Sequence, residues 1–218
     1  MAARARTVAV LGVLAVLGTP AVADAAPDKA PVGPPANGVA CRVGLFHRAP
    51  GADRVDLVGH SQGGLVPLFY INHLGGESKI GTMIGVAPAT HGISAYGMLN
   101  FLAAHSQAKD AVGKVIPAVD DGTAGSAFVT GTGEGGMTRP GVEYATVSSR
   151  HDLVVQLSES QLPPGPNVSN VVVQEFCPED LTNHGTMVYD DITLRIVRNL
   201  LDPATAVAPA CHPVAPLP

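Results

Sequence analysis

A serine lies at the centre of a glycine-rich hexapeptide, Gly59-His60-Ser61-Gln62-Gly63-Gly64. A four-residue apolar run precedes the hexapeptide, and a helix-like segment follows it. Between a strand and a helix, the pattern Gly-x-Ser-x-Gly places its serine in a tight, strained turn, because Gly59 and Gly63 have no Cβ to collide with the neighbouring elements. The hydroxyl of Ser61 then points away from the carboxyl end of the strand. The pattern predicts a nucleophilic serine on a strand-turn-helix elbow rather than a plain polar loop.

Such a serine needs two partners before it can attack a carbonyl carbon. A base must take its proton, and a carboxylate must orient that base and stabilise its cation. In a parallel sheet both partners lie on loops beyond the carboxyl ends of strands. Asp152 closely follows a predicted strand at residues 142–148, and His184 lies between a predicted strand at residues 170–174 and the last helix. We therefore expect Ser61 as nucleophile, Asp152 as acid and His184 as base.

Other carboxylates and histidines compete for these two roles. The rivals are Glu179, Asp180, Asp190 and Asp191 among the acids and His91, His151 and His212 among the histidines. Asp190 and Asp191 fall on the predicted last helix, where solvated surface charge is the usual explanation. His91 is expected to line a pocket or cap a turn, and His212 lies in a Pro-rich tail. Position after a strand favours Asp152 and His184.

The elements around the elbow predict an α/β fold. Residues 54–58 and 83–87 are apolar strand candidates on either side of a helix at residues 65–74, which Gly75-Gly76 ends. Unbroken apolar strands joined by a helix are typical of a parallel sheet covered on both faces. The last helix is expected at residues 186–201, ended by Asp202-Pro203. We therefore expect a mostly parallel sheet flanked by helices.

Between these elements the pattern is looser. Short helices are possible around residues 98–105 and 110–115. The glycine run from residue 131 to 141 lacks the Gly-Lys-Ser/Thr ending of a phosphate loop, and we interpret it as a flexible surface loop.

The chain divides into four predicted regions. Residues 1–25 have the charged start, apolar middle and small-residue cleavage site of a secretory signal, and residues 26–38 form a Pro/Ala-rich linker. Residues 39–203 are the α/β domain, and residues 204–218 are a Pro-rich tail. A secreted protein is expected, and the apolar part of the signal is too short for a membrane anchor.

Composition disfavours some classes of binding partner. The chain has a net charge of −5 and 14% charged residues, which disfavours nucleic-acid binding. No later segment is long and apolar enough to span a bilayer. Of the three cysteines, Cys177 and Cys211 in the C-terminal part are the expected disulfide, which leaves Cys41 unpaired. The proposed chemistry needs no metal or organic cofactor.

Four stretches in order carry a family resemblance: residues 51–64, 86–92, 147–155 and 173–184. They resemble the secreted bacterial class 2 lipases and esterases of the α/β-hydrolase fold. The resemblance implies hydrolysis of acylglycerols or similar lipid esters through an acyl-enzyme on Ser61. It assigns Asp152 and His184 the same roles as above and supports the disulfide between Cys177 and Cys211. A non-catalytic exported lipid-binding or envelope protein is the alternative, and acyl transfer or thioester cleavage by the same three residues is a third reading.

The chain departs from that family before the elbow. The family has a strand ending in a His-Gly oxyanion loop there, whereas this sequence has no His-Gly in that part. The Gln62 N–H is thus the one expected oxyanion donor, with the backbone near Asn37-Gly38 as a candidate for the second. The strand at residues 54–58 is expected to lack a neighbour on one side. Residues 39–46, a second chain in a dimer, or a segment deleted together with the partner of Cys41 would account for that edge.

Overall fold

The structure of the 218-residue chain is a computed structural model, which describes residues 7–11, 53–94, 96–97 and 121–216, the first five by their backbone. The bounds of five strands and four α-helices fall within these ranges, and residues 96–97 are also helical. The strands are β1 (Thr7–Leu11), β2 (Val55–His60), β3 (Ile80–Val86), β4 (Glu143–Ser148) and β5 (Val168–Val172). The helices are α1 (Gln62–His73), α2 (Ala127–Thr132), α3 (Leu157–Ser160) and α4 (Asp191–Leu201). The helices predicted at residues 98–105 and 110–115 lie outside the described residues.

The five described strands form one parallel sheet in the order β1-β2-β3-β4-β5. Because all five run in one direction, their carboxyl ends share one edge of the sheet. At that edge Gly59 pairs with Gly85, Val86 with Val147, and Ser148 with Val172. The predicted α/β fold with a parallel sheet is confirmed, and the loops that follow β2, β4 and β5 are brought to a common edge.

Helices cover both faces of this sheet because successive strand residues point to opposite sides. On one face Leu57 and Met83 pack with Leu68 and Ile71 of α1. On the other face the next residues along each strand pack against α4. This second cluster includes Val58, Ile84, Val147, Ile192 and Ile196. The elbow helix α1 and the last helix α4 therefore pack on opposite faces of the sheet.

The predicted unpaired edge beside β2 is wrong for this structure. Thr7–Leu11 pairs in parallel with β2, from Thr7 opposite Val55 to Leu11 opposite Gly59. These five residues belong to the apolar part of the segment predicted as a secretory signal. Residues 39–46, the other candidate for that position, lie outside the described residues, as does Cys41.

The last helix begins later than predicted. Residues Thr186–Val188 form a single 3-10 turn, and α4 starts at Asp191 after an N-cap at Asp190. The Asp190 carboxylate accepts hydrogen bonds from the N–H groups of Ile192 and Thr193, at 3.0 and 2.9 Å. The prediction of a solvated surface charge is wrong for Asp190, which is 3% exposed. A helix cap requires its carboxylate at that point, and the cap sets where α4 starts.

Two further segments differ in detail from the prediction. The strand expected at residues 170–174 is β5, Val168–Val172, and a 3-10 turn takes over at Val173–Glu175. The glycine run begins inside α2 and then turns around Arg139, whose guanidinium donates to the carbonyls of Gly135 and Gly136.

The C-terminal tail folds back onto the domain, with contacts as far as Val214. The predicted disulfide between Cys177 and Cys211 is present. Next to it, the Leu181 N–H donates to the carbonyl of Val214 at 3.0 Å. The segment that leads to His184 is therefore fastened from outside by the tail.

Candidate active site

The elbow between β2 and α1 has the geometry that its glycines predict. Ser61, the N-cap of α1, adopts φ 56° and ψ −124°, a left-handed conformation that is strained for a residue with a Cβ. A Cβ at Gly59 would lie 1.9 Å from the carbonyl oxygen of Gly63, so the turn can close only with glycine at position 59. Gln62 is the first residue of α1, so its N–H belongs to the positive end of that helix.

Backbone hydrogen bonds hold the strained serine from the side of β3. The N–H of Ser61 donates to the carbonyl of Val86 at 3.0 Å. The carbonyl of Ser61 accepts from the N–H of Ala89 at 3.2 Å and from that of Gly64 at 2.9 Å. The N–H and the carbonyl of Ser61 are thus both hydrogen-bonded, and its side chain is presented at the sheet edge.

His184 bridges Ser61 and Asp152. Its Nε2 lies 3.0 Å from the Ser61 hydroxyl oxygen, and its Nδ1 lies 2.8 Å from Oδ2 of Asp152. A carboxylate only accepts hydrogen bonds, so Nδ1 carries the proton in the neutral ring and Nε2 is left to accept the serine O–H. The structure therefore brings together the three side chains chosen from the sequence. Ser61 and Asp152 lie 123 and 32 residues away from His184 along the chain.

Asp152 is fixed by the turn that follows β4. Its second oxygen, Oδ1, accepts from the N–H groups of Val154 and Val155 at 2.8 and 2.9 Å. The residue is 4% exposed. Both carboxylate oxygens therefore have partners, and the one that faces His184 has little freedom to turn away.

The loop that carries His184 is fastened to the end of β4. The Ser149 hydroxyl donates to the carbonyl of Thr182 at 2.5 Å. The Gln174 side-chain amide donates to Ser149 Oγ and to the carbonyl of Asp180, both at 3.0 Å, and its oxygen accepts from the Arg150 N–H at 2.9 Å. These buried polar groups connect the acid loop to the base loop.

The rival acids lie elsewhere. Asp180 is fully buried and accepts the Thr182 N–H at 2.7 Å, and Asp190 caps α4. Glu179 is exposed, while Asp191 lies 3.2 Å from the ring of His212, with both side chains largely exposed. None of these four replaces Asp152 beside Nδ1 of His184.

The rival histidines are also accounted for. His151 is exposed next to Asp152. His91 bonds through Nδ1 to the Thr90 hydroxyl at 3.0 Å and lines a shallow cavity of about 430 Å³ together with Val129 and Met137. Thr90 and His91 follow Ala89, whose N–H holds the Ser61 carbonyl, so the cavity begins close to the elbow.

One contact at the site was not anticipated from the sequence. His60, singled out only as a member of the elbow, places its Nε2 2.9 Å from the carbonyl oxygen of His184, with the two ring centres 4.6 Å apart. Burial, and then the neighbouring His184, lowers the pKa of His60 from the ordinary 6.5 to about 4. The sequence around position 60 does not indicate this contact, because His184 lies on a different loop, 124 residues away.

Two further expectations concern ligands and membranes. Among the described residues no cluster of three or more His, Cys, Asp or Glu side chains could hold a metal ion. No helix in the described part of the chain combines the length and the hydropathy needed to cross a bilayer.

The backbone near Asn37-Gly38, considered for the second oxyanion donor, lies outside the described residues.

No protein-family model and no curated protein sequence matches the chain. Among solved structures it is similar to lipase B from Aspergillus fumigatus, with a TM-score of 0.52 and 17% identity over 68% of this chain and 37% of that one. An esterase from Pyrococcus furiosus (TM-score 0.41, 13% identity, 69% and 54% covered) and mouse alpha/beta hydrolase domain-containing protein 10 (0.37, 17%, 70% and 63%) follow.

The chain thus spans between 37% and 63% of the length of these three structures. At these identities the similarity shows the fold alone. It rests on the lipase from Aspergillus fumigatus, because the TM-scores of the other two structures are below 0.5. Closer kinship with the secreted bacterial class 2 enzymes stays a prediction. The chain has the α/β-hydrolase fold, with a Ser-His-Asp arrangement at the carboxyl edge of its parallel sheet.

Proposed function

We propose that the protein is a secreted serine hydrolase that cleaves carboxylic esters, of acylglycerols or related lipids, through an acyl-enzyme on Ser61. The observation that carries the proposal is the pair of contacts made by His184, 3.0 Å to the serine hydroxyl and 2.8 Å to the Asp152 carboxylate. A serine, a base and an orienting carboxylate in this order of contacts form the general device for activating a hydroxyl nucleophile.

The first half-reaction follows from these contacts. Ser61 Oγ attacks the ester carbonyl carbon while Nε2 of His184 takes the hydroxyl proton. Asp152 stabilises the imidazolium that forms. The negative charge on the former carbonyl oxygen develops at the N-terminus of α1, and the N–H of Gln62, the first residue of that helix, is its proposed donor. As the C–O bond breaks, His184 returns the proton to the leaving alcohol.

Water completes the cycle. His184 takes a proton from the water that attacks the acyl carbon, and it gives that proton to Ser61 Oγ as the acyl group leaves as the free acid. The enzyme ends in its starting protonation state, and no redox or metal step is required. The lipid substrate class and the secretion come from the resemblance and the predicted signal at residues 1–25.

The experiment compares the purified chain with Ser61→Ala. The wild type is expected to release p-nitrophenol from p-nitrophenyl butyrate in a burst and to be labelled by a fluorophosphonate, and Ser61→Ala is expected to show neither. A glycerol ester such as tributyrin then tests the substrate class. A folded wild type that gives neither burst nor label contradicts the proposal and favours a non-catalytic lipid-binding protein.

A further inference from the structure

The contact between His60 and His184 joins a side chain to the backbone of the proposed base. A carbonyl oxygen has no proton to give, so the 2.9 Å approach requires that Nε2 of His60 be the donor. The neutral ring of His60 must therefore carry its proton on Nε2. The two imidazole rings also pack against each other, at a tilt of 44°.

This contact is independent of the catalytic hydrogen bond. His60 ends β2, and Ser61 follows it directly, so adjacent residues contact the same histidine at two different groups. Ser61 contacts the imidazole of His184, while His60 contacts its carbonyl. The first contact must break and reform during each turnover, whereas the second can persist throughout.

We propose that His60 is a positioning residue that fixes the main chain of His184 relative to the elbow, so that Nε2 of His184 stays within reach of Ser61 Oγ during turnover. The inference rests on the proposed function of Ser61 and His184. It adds a fourth side chain to the site, one that touches neither the substrate nor the transferred proton. Positioning of this kind affects rate steeply, because a displacement of about 1 Å between reacting groups costs on the order of 10²-fold.

The charge state of His60 suits this role. Burial, and then the neighbouring His184, lowers the pKa of His60 to about 4, which keeps the ring neutral at neutral pH. A neutral ring adds no positive charge beside the imidazolium that His184 becomes during the reaction. The groups facing it include the Asp152 carboxylate, which acts in the opposite direction, as does the hydrogen bond to the His184 carbonyl.

The test replaces His60 with Phe, which keeps a ring but removes the donor, and with Gln, whose amide can donate in its place. For His60→Phe we expect kcat, per active site titrated with fluorophosphonate, to fall about 10- to 100-fold with KM changed less than about threefold. The rate of fluorophosphonate inactivation should fall in parallel, because it uses the same base. His60→Gln should recover most of both rates.

A matched control is His73→Phe. His73 also places a ring nitrogen near a backbone carbonyl, 3.2 Å from that of Thr132, and also packs on another ring, that of Phe69. It lies in the last turn of α1, away from His184, so this variant should retain the wild-type kcat within about twofold.

Nitrogen-15 NMR of histidine-labelled wild type supplies a second measurement that does not depend on any variant folding. His60 is expected as the neutral tautomer with its proton on Nε2 at neutral pH. A proton on Nδ1 instead, or a His60→Phe protein that is inactivated at the wild-type rate, overturns the inference. A wild type that reacts with no fluorophosphonate at all refutes the proposed function instead, and the NMR result then still decides whether His60 holds the His184 carbonyl.

Discussion

The two oxygens of Asp152 have separate partners. Oδ2 faces Nδ1 of His184, while Oδ1 closes the turn through the N–H groups of Val154 and Val155. The same side chain therefore stabilises the turn of its own loop and fixes the tautomer of His184, with the proton on Nδ1. An asparagine at this position preserves one of these functions and removes the other.

For Asp152→Asn we expect a folded protein with kcat lowered on the order of 10⁴-fold. The amide oxygen can still accept from the turn, but the amide nitrogen then faces Nδ1 and forces the His184 proton onto Nε2, where the base must be free. Thermal unfolding should stay within a few degrees of the wild type, and steady-state kinetics on p-nitrophenyl butyrate measure the loss. Activity within tenfold of the wild type would contradict this role of Asp152.

A second buried carboxylate works against stability. Asp180 is fully buried, and its Oδ2 has no hydrogen-bond donor within the described residues. Burial raises the pKa of the Asp180 carboxyl, and the Asp190 carboxylate adds to this, against the Thr182 N–H and His212. The folded state therefore keeps the proton to higher pH than the unfolded chain does, so stability falls as pH rises from the ordinary pKa of 3.8 through the raised value.

Asp180→Asn removes this titration and supplies an N–H toward Asp190. We expect its Tm to exceed that of the wild type by a few degrees at neutral pH, with the difference shrinking as pH falls toward the ordinary carboxyl pKa. Scanning calorimetry at a series of pH values measures this difference. Glu179→Gln, at an exposed neighbouring carboxylate, is the control and should show no such trend. A difference in Tm that is constant across pH would count against the explanation.

At the scale of elements, the turn from β2 into α1 tolerates no side chain at Gly59. A Cβ there meets the Gly63 carbonyl oxygen at 1.9 Å, and the neighbouring Ser61 is already strained. We expect Gly59→Ala to lower the free energy of unfolding by about 1–3 kcal/mol or more. It should also abolish fluorophosphonate labelling. Chemical denaturation and labelling measure the two effects.

Gly131 offers the matched comparison for this substitution. It lies in α2, and a Cβ there meets no atom within 4 Å. Gly131→Ala should leave labelling intact and change stability by less than about 1 kcal/mol, in the stabilising direction. Equal losses in the two variants would show that the close approach at Gly59 is not the cause.

The sequence predicts some elements well because their signals are local. The apolar run before Ser61 and the glycines around it are sufficient to predict β2, the elbow and α1. Position after a strand is sufficient to choose His184 as the side chain that contacts Ser61 and Asp152 as the side chain that contacts His184. These predictions needed only the rule that parallel strands end at one edge.

Other features depend on contacts between distant parts of the chain and were missed. Apolar spacing extended the last helix back to residue 186, although the Asp190 carboxylate caps it one turn later. Residue type alone predicts a surface charge at Asp190, because burial cannot be inferred from it. The bond from His60 to the His184 carbonyl spans 124 residues and has no sequence pattern.

At the scale of the whole molecule, the disulfide joins the end of the chain to the segment before His184. Cys177 and Cys211 are 34 residues apart, and closing a loop of that length stabilises a folded chain by roughly 3–4 kcal/mol in the chain-entropy account. We expect Cys211→Ser, or reduction of the wild type, to lower the free energy of unfolding by about that amount in guanidinium chloride. Reduction that leaves the denaturation midpoint unchanged would show that other contacts hold the tail.

The sheet has one strand that is distant in sequence from all the others. Thr7–Leu11 covers the outer side of β2 from within the segment predicted to direct export. If a peptidase cuts after residue 25, the backbone groups of β2 that face β1 lose their partners and face water or another polypeptide. The newly synthesised chain and its processed form would then differ in tendency to aggregate, although every residue proposed to act on an ester is present in both.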